Sequence, residues 1–375
     1  MPRLPSLTDI ARIPRAQLAE VVGLCLSATS HPVLARALDL GLFARLAGGP
    51  ATLAALTGEL AGRATAVSLQ MTVELACTFG LLVRRGELVG LSRMTRLFLL
   101  EEAPLRLLGL VERHARYIAA IAALPDALRE IGPADRRLWS DAADEREQAA
   151  YFQARSAFNE ASRRYFWDSA IVLARAHCER DLAAHRVVCD VGAGPAAFAA
   201  LLKQAAPRLA VHAVEVNYKD PGYLAATAAG LRDAGAAVEL HARNALHEPL
   251  PPGIDLLTVN RVFSGLSRDG ADGWARRLFA GLAPGGALAM VDFFLTGAPA
   301  HDRAVGALYA SWMAWNHHDL TIDPPTDPGD DRRAWGWSSP WHVRELAARL
   351  TRVGFVEVRA RSVVPPFALI EARRP

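Results

Sequence analysis

Two glycines and two carboxylates occur together where strand and helix patterns begin to alternate. The stretch RVVCDVGAGPAAFAALL combines an apolar run, Asp190, and the spacing Gly192-x-Gly194-x-x-Ala197. Glycines at a strand-to-helix turn let the backbone approach a ligand closely, outside the carboxyl ends of the strands. Glu215, at the end of the next strand pattern in HAVEV, is placed to accept hydrogen bonds from ribose hydroxyls. Together these residues predict a binding site for a nucleotide-like cofactor.

The elements that would hold this site begin at about residue 186. Strands are predicted from RVVCDV, LAVHAVEV, AVELHARN, IDLLTVNRVF and GALAMVDFFL, with helical patterns between them. After a last helix in WHVRELAARLTRVG, the stretches FVEVRARS and FALIEARR predict an antiparallel hairpin at one edge. Repeated strand-helix units predict an α/β fold with a doubly wound, mostly parallel sheet.

The first 150 residues have a different pattern, that of short helices followed by a hairpin. Helices are predicted from HPVLARALDLGLFARLAGG, from TLAALTGELAG with Thr52 as its cap, and from VSLQMTVELACTFG, ended by Gly80. LLVRRGELVGLS predicts a hairpin around Arg85-Gly86, and a long helix follows. This order is typical of a winged helix, so a transcription regulator stays open. The third helix carries Glu74 and no Lys or Arg, which favours a partner interface over DNA phosphates.

Composition excludes several other classes of protein. Hydrophobic residues make up 51% of the 375 residues, and the net charge is +3 with no basic stripe, which argues against a nucleic-acid surface. The four cysteines are far apart, which predicts free thiols in a reducing compartment. The apolar runs are short for a membrane span, and the N-terminus lacks an apolar signal core. We therefore expect a cytoplasmic protein that binds neither nucleic acid nor a membrane.

The cofactor has two candidates. Gly192-x-Gly194-x-x-Ala197 satisfies a dinucleotide fingerprint, so an NAD(P)-dependent reductase is one of them. Three features favour a cationic cofactor instead: Asp190 directly before the glycine turn, the Pro-Gly-Gly turn in LAPGGALAMVDFF, and the winged-helix pattern before the sheet. An acidic group fits poorly beside a pyrophosphate.

With these features in place, the chain resembles the S-adenosylmethionine-dependent methyltransferases of small-molecule metabolism, the O-methyltransferase family of plant phenolics and bacterial natural products. The stretches that carry the resemblance are ALDLGLFARLAGGPATLAALTGEL, GLLVRRGELVGLS, FNEASRRYFW, CDVGAGPAAF, NALHEPLPPGIDLLTVNRVFSGLS, LAPGGALAMVD and LTRVGFVEV. The resemblance implies a Rossmann-like class I methyltransferase sheet in residues 151–375. It also implies a mostly helical winged-helix dimerisation domain in residues 1–150, and a homodimer.

The resemblance also assigns binding residues. It implies that Gly192 and Gly194 cradle the amino-acid part of S-adenosylmethionine, and that Glu215 holds the ribose. Asn244, with Ala245 beside it, would face the adenine where the family usually has Asp; a simple turn residue is the alternative. The resemblance also implies that Asn260 and Arg261 line the methionine end, that Phe158 and Asn159 belong to the stretch over the cofactor, and that the helix with Trp312 and Trp315 lines the substrate pocket. Apart from the resemblance, Asp190 is a candidate contact of a cationic cofactor, and Asn159 and Trp337 are candidate contacts of the substrate.

The expected catalytic base is replaced. In the family, the loop after the fourth strand usually supplies His-Asp, and here Ser264 and Gly265 occupy those places. Transfer to oxygen is implied by the family, but carbon or nitrogen acceptors, or a non-methylating, cyclase-like reaction, stay open. The candidates for catalysis are His317 and His318 on a predicted helix, together with Ser264 and Asp292.

Metal dependence is not predicted for this pocket. His317, His318, Asp319 and Asp323 could supply part of a ligand set. However, adjacent residues on a helix point about 100° apart, so His317 and His318 are poorly placed to bind one ion. The Trp-rich stretch that contains Trp335, Trp337 and Trp341 predicts instead a lid or wall over a flat substrate.

Overall fold

A computed structural model describes residues 5–103, 105–119, 121, 160–263, 268–322 and 340–375. For residues 116, 117, 160–163, 268–270 and 312–322 it describes the backbone alone.

Short helices and a small sheet make up the first part of the chain. The helices are α1 Leu7–Ala11, α2 Arg15–Leu26, α3 His31–Asp39, α4 Leu42–Ala47, α5 Leu53–Glu59, α6 Ala66–Thr78, α7 Arg93–Phe98 and α8 Leu108–Ala119. The strands β1 Ala51–Thr52, β2 Leu82–Arg85 and β3 Leu88–Leu91 pair antiparallel in the order β1-β3-β2. Helices followed by a hairpin is the predicted order.

Local signals account for most of these boundaries. The Thr52 hydroxyl accepts a hydrogen bond from the Ala55 N–H at 3.2 Å and caps α5, as predicted. Gly86, with φ +60°, lies in the turn of the predicted hairpin. The prediction of one helix over residues 31–49 is wrong, because Gly41 adopts a φ of +71° and separates α3 from α4.

A seven-stranded sheet makes up the second part. Its strands are β4 Val187–Val191, β5 Ala210–Glu215, β6 Glu239–Ala242, β7 Ile254–Asn260, β8 Leu282–Asp292, β9 Val356–Val364 and β10 Phe367–Arg373. The helices that follow α8 are α9 Glu160–His177, α10 Ala197–Ala205, α11 Pro221–Asp233, α12 Arg268–Gly281, α13 Pro299–Ile322 and α14 Val343–Val353. The strand order is β6-β5-β4-β7-β8-β10-β9. β4 to β8 pair parallel and β10 pairs antiparallel with both neighbours, which confirms the predicted α/β sheet.

Two predicted strand limits shift. β7 ends at Asn260 and not at Phe263, because Arg261 turns out of the strand with φ +57° while its N–H still bonds Val291 O at 2.8 Å. β8 begins at Leu282, so the predicted Pro-Gly-Gly turn lies within the strand, with Gly285 at φ +77°.

The helix α9 joins the two parts. A Cβ on Gly109 of α8 would lie 2.6 Å from the carbonyl carbon of Arg164 on α9, so these helices cross in backbone contact. One hydrophobic cluster extends from Ile10 through α9 to Leu369 of the sheet. The division of domains at residue 150 falls outside the described residues and stays a prediction.

Two remaining predictions from composition can be compared with the structure. All four cysteines are free, and two of them, Cys25 and Cys189, are buried. Among the described residues no single helix is long and apolar enough to cross a membrane. The helices Arg15–Leu26 and His31–Asp39 together have the length and composition of a membrane span, but they are bent by 86° relative to each other.

Candidate functional site

The predicted cofactor residues gather at the carboxyl ends of the parallel strands. The chain runs from β4 outward to β5 and β6, then returns to the other side of β4 as β7 and β8. Ligands of open α/β sheets bind where the strand order reverses in this way. Asp190 on β4 and Asn260 on β7 therefore lie at the reversal itself, and Glu215 ends the neighbouring strand β5.

The glycine turn after β4 is held against Glu215. Gly192 and Gly194 have φ of +70° and +53°, and the Gly194 N–H donates to Glu215 Oε2 at 3.0 Å. A Cβ on Gly192 would lie 2.3 Å from Val262 Cγ2, so only glycine fits there. The other carboxylate oxygen, Glu215 Oε1, accepts the N–H and the side-chain amide of Asn217, at 3.1 and 2.8 Å. Burial raises the pKa of Glu215, and these donors partly offset it.

Asp190 is buried and bonded to the neighbouring strand. Its Oδ1 accepts the Thr258 hydroxyl at 2.8 Å and the Asn260 side-chain amide at 3.0 Å. Burial raises the pKa of Asp190 to about 7, although both hydrogen bonds favour the ionised form. A carboxyl group with this pKa titrates near neutral pH, and a nearby cation would favour its ionised form.

Asn260 connects Asp190 to a buried histidine on α9. Because the Asn260 amide nitrogen donates to Asp190, its oxygen faces His177 Nε2, at 3.2 Å, and Nε2 must carry the hydrogen. Burial lowers the pKa of His177 to about 3, so the imidazole is neutral. Both ends of the Asn260 amide are thus engaged inside the protein, and a cofactor would meet this side chain already fixed in orientation.

Asn244 forms a turn after β6. Its Oδ1 accepts the Leu246 N–H at 3.0 Å, and its carbonyl oxygen accepts the N–H groups of His247 and Glu248. This is the geometry of the turn-residue alternative. Ala245 is half-buried beside it. The adenine role stays a prediction for both residues.

Arg261 points toward aromatic rings and a second histidine. Its guanidinium carbon lies 5.2 Å from the ring centroids of both Tyr165 and Phe293, which are cation–π distances. His114 of α8 is 4% exposed, and burial, followed by the charge of Arg261, holds the pKa of His114 well below its usual range. A neutral imidazole therefore lies near the side chain that was predicted to face the methionine end.

The predicted catalytic and substrate residues are less fully described. Asp292 ends β8, is 1% exposed, and accepts the N–H of Phe293 at 2.8 Å. Trp312, Trp315, His317 and His318 lie on α13, whose backbone confirms the predicted helix, while Phe158, Asn159, Ser264, Gly265 and Trp337 lie outside the described residues.

One part of the predicted aromatic wall is wrong. Trp341 has no exposed surface and packs its ring edge-on against Phe263 at 6.0 Å, within the hydrophobic core on one face of the sheet. The core therefore accounts for Trp341.

Three residues of this site were missed from the sequence. Thr258 had a usable signal, because it is a polar residue within the apolar strand IDLLTVN. His177 and His114 had none, because a single histidine on a helix is read only after its neighbours in space are known.

No protein-family model and no curated protein matches the chain. Solved structures do. Human N-acetylserotonin methyltransferase in complex with S-adenosylmethionine is 17% identical, with 92% of this chain and 94% of that chain covered and a TM-score of 0.62. The pyocyanin biosynthetic protein PhzM is 15% identical, with 92% and 95% covered and a TM-score of 0.66. A dimethyltransferase of N,N-8-amino-8-demethyl-D-riboflavin from Streptomyces davawensis is 19% identical, with 92% and 95% covered and a TM-score of 0.58. The chain therefore has the fold of these small-molecule methyltransferases, along nearly its whole length.

Proposed function

We propose that this chain is an S-adenosylmethionine-dependent methyltransferase of a small-molecule acceptor. The observation that carries the proposal is the pair of buried carboxyl groups, Asp190 and Glu215, on either side of the turn Gly192–Gly194. Of the structural neighbours, one is described in complex with S-adenosylmethionine and another, PigF, with S-adenosylhomocysteine.

The charges of the site favour this cofactor over a dinucleotide. S-adenosylmethionine brings a sulfonium and an ammonium group, which an ionised Asp190 would attract, and a ribose whose hydroxyls Glu215 would accept. A pyrophosphate would place negative charge beside Asp190 in a buried setting, where repulsion is poorly screened. The turn at Gly192, with no space for a side chain, suits close backbone contact with the methionine end.

The bound cofactor supplies an activated methyl group, and the protein has to orient an acceptor and receive its proton. We propose transfer to oxygen as the first alternative, with nitrogen or carbon as the second, because Ser264 replaces the usual histidine. His317 and His318 stay candidates for the base, and Asp292 for a polar contact at the cleft. A cytoplasmic location belongs to the same proposal.

Calorimetric titration of the purified protein with S-adenosylmethionine, S-adenosylhomocysteine and NADPH tests the function directly. We expect binding of the two sulfur nucleotides and no heat from NADPH. Binding of NADPH alone would overturn the proposal and return the glycine spacing to a dinucleotide role. A cyclase-like alternative predicts cofactor binding without conversion of S-adenosylmethionine to S-adenosylhomocysteine in the presence of acceptor.

The raised pKa of Asp190 predicts a pH dependence of stability. An aspartate has a pKa near 3.8 when unfolded and about 7 here, so the folded state binds the extra proton between those values. Stability from this group is therefore highest below pH 4 and falls as the pH rises toward 7, by roughly 4 kcal/mol if the full gap is realised. Asp190→Asn removes this fall and keeps an Oδ1 for Thr258 and Asn260. Urea unfolding at pH 5 and pH 8 measures the difference.

The cofactor should reverse the preference of Asp190. An ammonium group beside it favours the ionised form, so affinity for S-adenosylmethionine should rise with pH through 7 in the native protein and stay flat in Asp190→Asn. Asp168→Asn is the matched control, because burial also raises the pKa of Asp168 to about 7 but this residue bonds Gly109 N between helices. Equal pH profiles of affinity in native protein and Asp190→Asn would contradict the role of Asp190.

We propose that the chain forms a homodimer through α6. Val67, Met71 and Leu75 follow one another at four-residue spacing on this helix and are 68%, 59% and 42% exposed. A row of this kind on one helix face is typical of an interface. Two hairpin residues beside it, Val83 and Leu88, are also exposed apolar side chains. The absence of Lys and Arg from α6 favours a second copy over nucleic acid.

Met71→Glu should therefore convert a dimer to a monomer, because it buries a charge at the centre of the row. Gln70→Glu is the control, since it adds the same charge at an exposed position about 100° away around the helix. It also replaces the hydrogen bond from Gln70 to Glu74 with a like-charge pair, which costs only about 0.2–0.5 kcal/mol. Light scattering after gel filtration gives the mass of each variant. A native protein that is monomeric, or a Met71→Glu variant that stays dimeric, would contradict this interface.

A further inference from the structure

A cluster of two histidines and a glutamate lies on the exposed edge of the large sheet, apart from the cofactor site. His212 is on β5, and Glu239 and His241 are on the edge strand β6. The parallel register pairs His212 with Glu239 and Val214 with His241, so all three side chains project from the same face. Both imidazoles are largely buried, at 15% and 12% side-chain exposure, while the Glu239 side chain is 65% exposed.

The two imidazole nitrogens and the Glu239 carboxylate form a compact triangle, in which each nitrogen faces a different carboxylate oxygen. His212 Nδ1 lies 2.9 Å from His241 Nε2, Glu239 Oε2 lies 3.4 Å from His212 Nδ1, and Glu239 Oε1 lies 3.5 Å from His241 Nε2. A transition-metal ion binds imidazole nitrogen and carboxylate oxygen at about 2.0–2.2 Å. Ligands at that distance are separated by about 2.9 Å at octahedral angles and by about 3.3 Å at tetrahedral angles. The separations of 2.9, 3.4 and 3.5 Å are therefore close to those between ligands of such a coordination shell.

We propose that His212, Glu239 and His241 bind a divalent first-row transition-metal ion of the Zn²⁺ type. Such ions readily accept two imidazole nitrogens and one carboxylate as ligands, whereas Mg²⁺ and Ca²⁺ favour oxygen ligands. Three protein ligands leave further positions for water at this exposed edge.

The surrounding charges are compatible with this site. Burial, opposed by the charge of Glu239, lowers the pKa of His241, and the charges of His212 and Arg243 lower it further. A metal ion binds an imidazole through an unprotonated nitrogen. Arg243 carries a charge that would repel an ion, and its guanidinium donates a hydrogen bond to Pro249 O at 2.8 Å. Without metal, an N–H···N hydrogen bond between the imidazoles explains the same 2.9 Å distance, and experiment separates the two.

An ion here would clamp the sheet edge close to the cofactor residues. His212 is three positions before Glu215 on β5, and His241 is three before Asn244 in the turn after β6. β6 is short and at the edge of the sheet, with β5 as its only strand neighbour in the described structure. A bond through metal from β6 to β5 would hold the segment after β6 in place, independently of which cofactor binds.

Zinc titration of the untagged, chelator-treated full chain tests the site. We expect Zn²⁺ binding that weakens at least about tenfold in His241→Gln, and Co²⁺ binding that gives visible absorption bands in the native protein and loses them in the variant. His247→Gln is the matched control, because this histidine is exposed in the segment between β6 and β7 and lies outside the triangle. Its metal binding should equal that of the native protein.

Glu239→Gln is a second variant of the site, in case His241→Gln fails to fold. Its side chain is mostly exposed, so the fold should tolerate the change, and the loss of a charged ligand should again weaken Zn²⁺ binding at least about tenfold. Unchanged Zn²⁺ affinity in both His241→Gln and Glu239→Gln would overturn the proposal. So would a native protein that binds no Zn²⁺ at micromolar concentrations. Neither result depends on methyltransferase activity.

Discussion

Gly192→Ala should abolish measurable S-adenosylmethionine binding and lower the stability of the protein. The new Cβ would lie 2.3 Å from Val262 Cγ2, at a φ of +70° that L-residues adopt only with strain. The left-handed backbone costs about 1–2 kcal/mol, and forcing Val262 aside adds about 1–3 kcal/mol. Relief of the contact displaces Val262 or the turn itself, and each 1.4 kcal/mol lost from binding is about tenfold in affinity. Calorimetry for binding and urea unfolding for stability measure the two effects.

Gly253→Ala is the control for the strain alone. Gly253 has a similar φ of +75°, but no atom lies within 4 Å of the position a Cβ would take. It should lose only the cost of the left-handed backbone and keep its affinity for the cofactor. If Gly192→Ala behaves like Gly253→Ala in both measurements, the turn is not a close contact of the cofactor.

Glu215→Gln should weaken S-adenosylmethionine binding by roughly 10–100-fold. The carboxylate now accepts the Gly194 N–H on one oxygen and Asn217 on the other, and in the proposed complex it also accepts ribose hydroxyls. Hydrogen bonds to a charged group contribute about 1.5–3 kcal/mol each, and a Gln amide would turn an N–H₂ group toward one of these donors. The binding constant of S-adenosylhomocysteine reports the same loss without turnover.

Glu248→Gln is a control that distinguishes a specific contact of Glu215 with the cofactor from the electrostatic effect of any negative charge near this edge of the sheet. Glu248 is half-buried in the segment after β6 and pairs with Lys219 at 2.7 Å, so its neutralisation removes the same charge from the same region. Its effect on affinity should be less than about threefold, because a partly exposed ion pair contributes little. Equal losses in both variants would assign the effect of Glu215 to charge alone.

The residues of the site that could be predicted from the sequence are those whose conformation depends on their neighbours along the chain. Gly192 and Gly194 sit in a turn whose shape is set by its own residues, and Glu215 ends a strand that is apolar except for His212. The resemblance between motif order and the methyltransferase fold then held across most of the chain. The one helix predicted over residues 31–49 failed for a local reason as well, because the Leu and Ala spacing continues through Gly41 without a visible break.

The rest depends on which elements meet in space. His177 reaches Asn260, 83 residues away, only because α9 packs beside the sheet. His212 joins Glu239 and His241 only through the register of β5 with β6, although Glu239-x-His241 alone indicated two polar side chains on one strand face. Trp341 was assigned to a lid from composition, whereas its position beside Phe263 places it in the core.

The hydrophobic cluster that runs from Ile10 to Leu369 limits how the chain can be divided into fragments that fold on their own. The backbones of α8 and α9 touch at Gly109, so these helices share a surface from which water is excluded. Removing either helix would expose the apolar surface of the other and lose the free energy of its burial. Each half therefore buries apolar surface of the other half. A fragment that begins near residue 186 would contain the whole seven-stranded sheet and still lack the helix that covers one of its faces, so it is expected to aggregate when expressed alone.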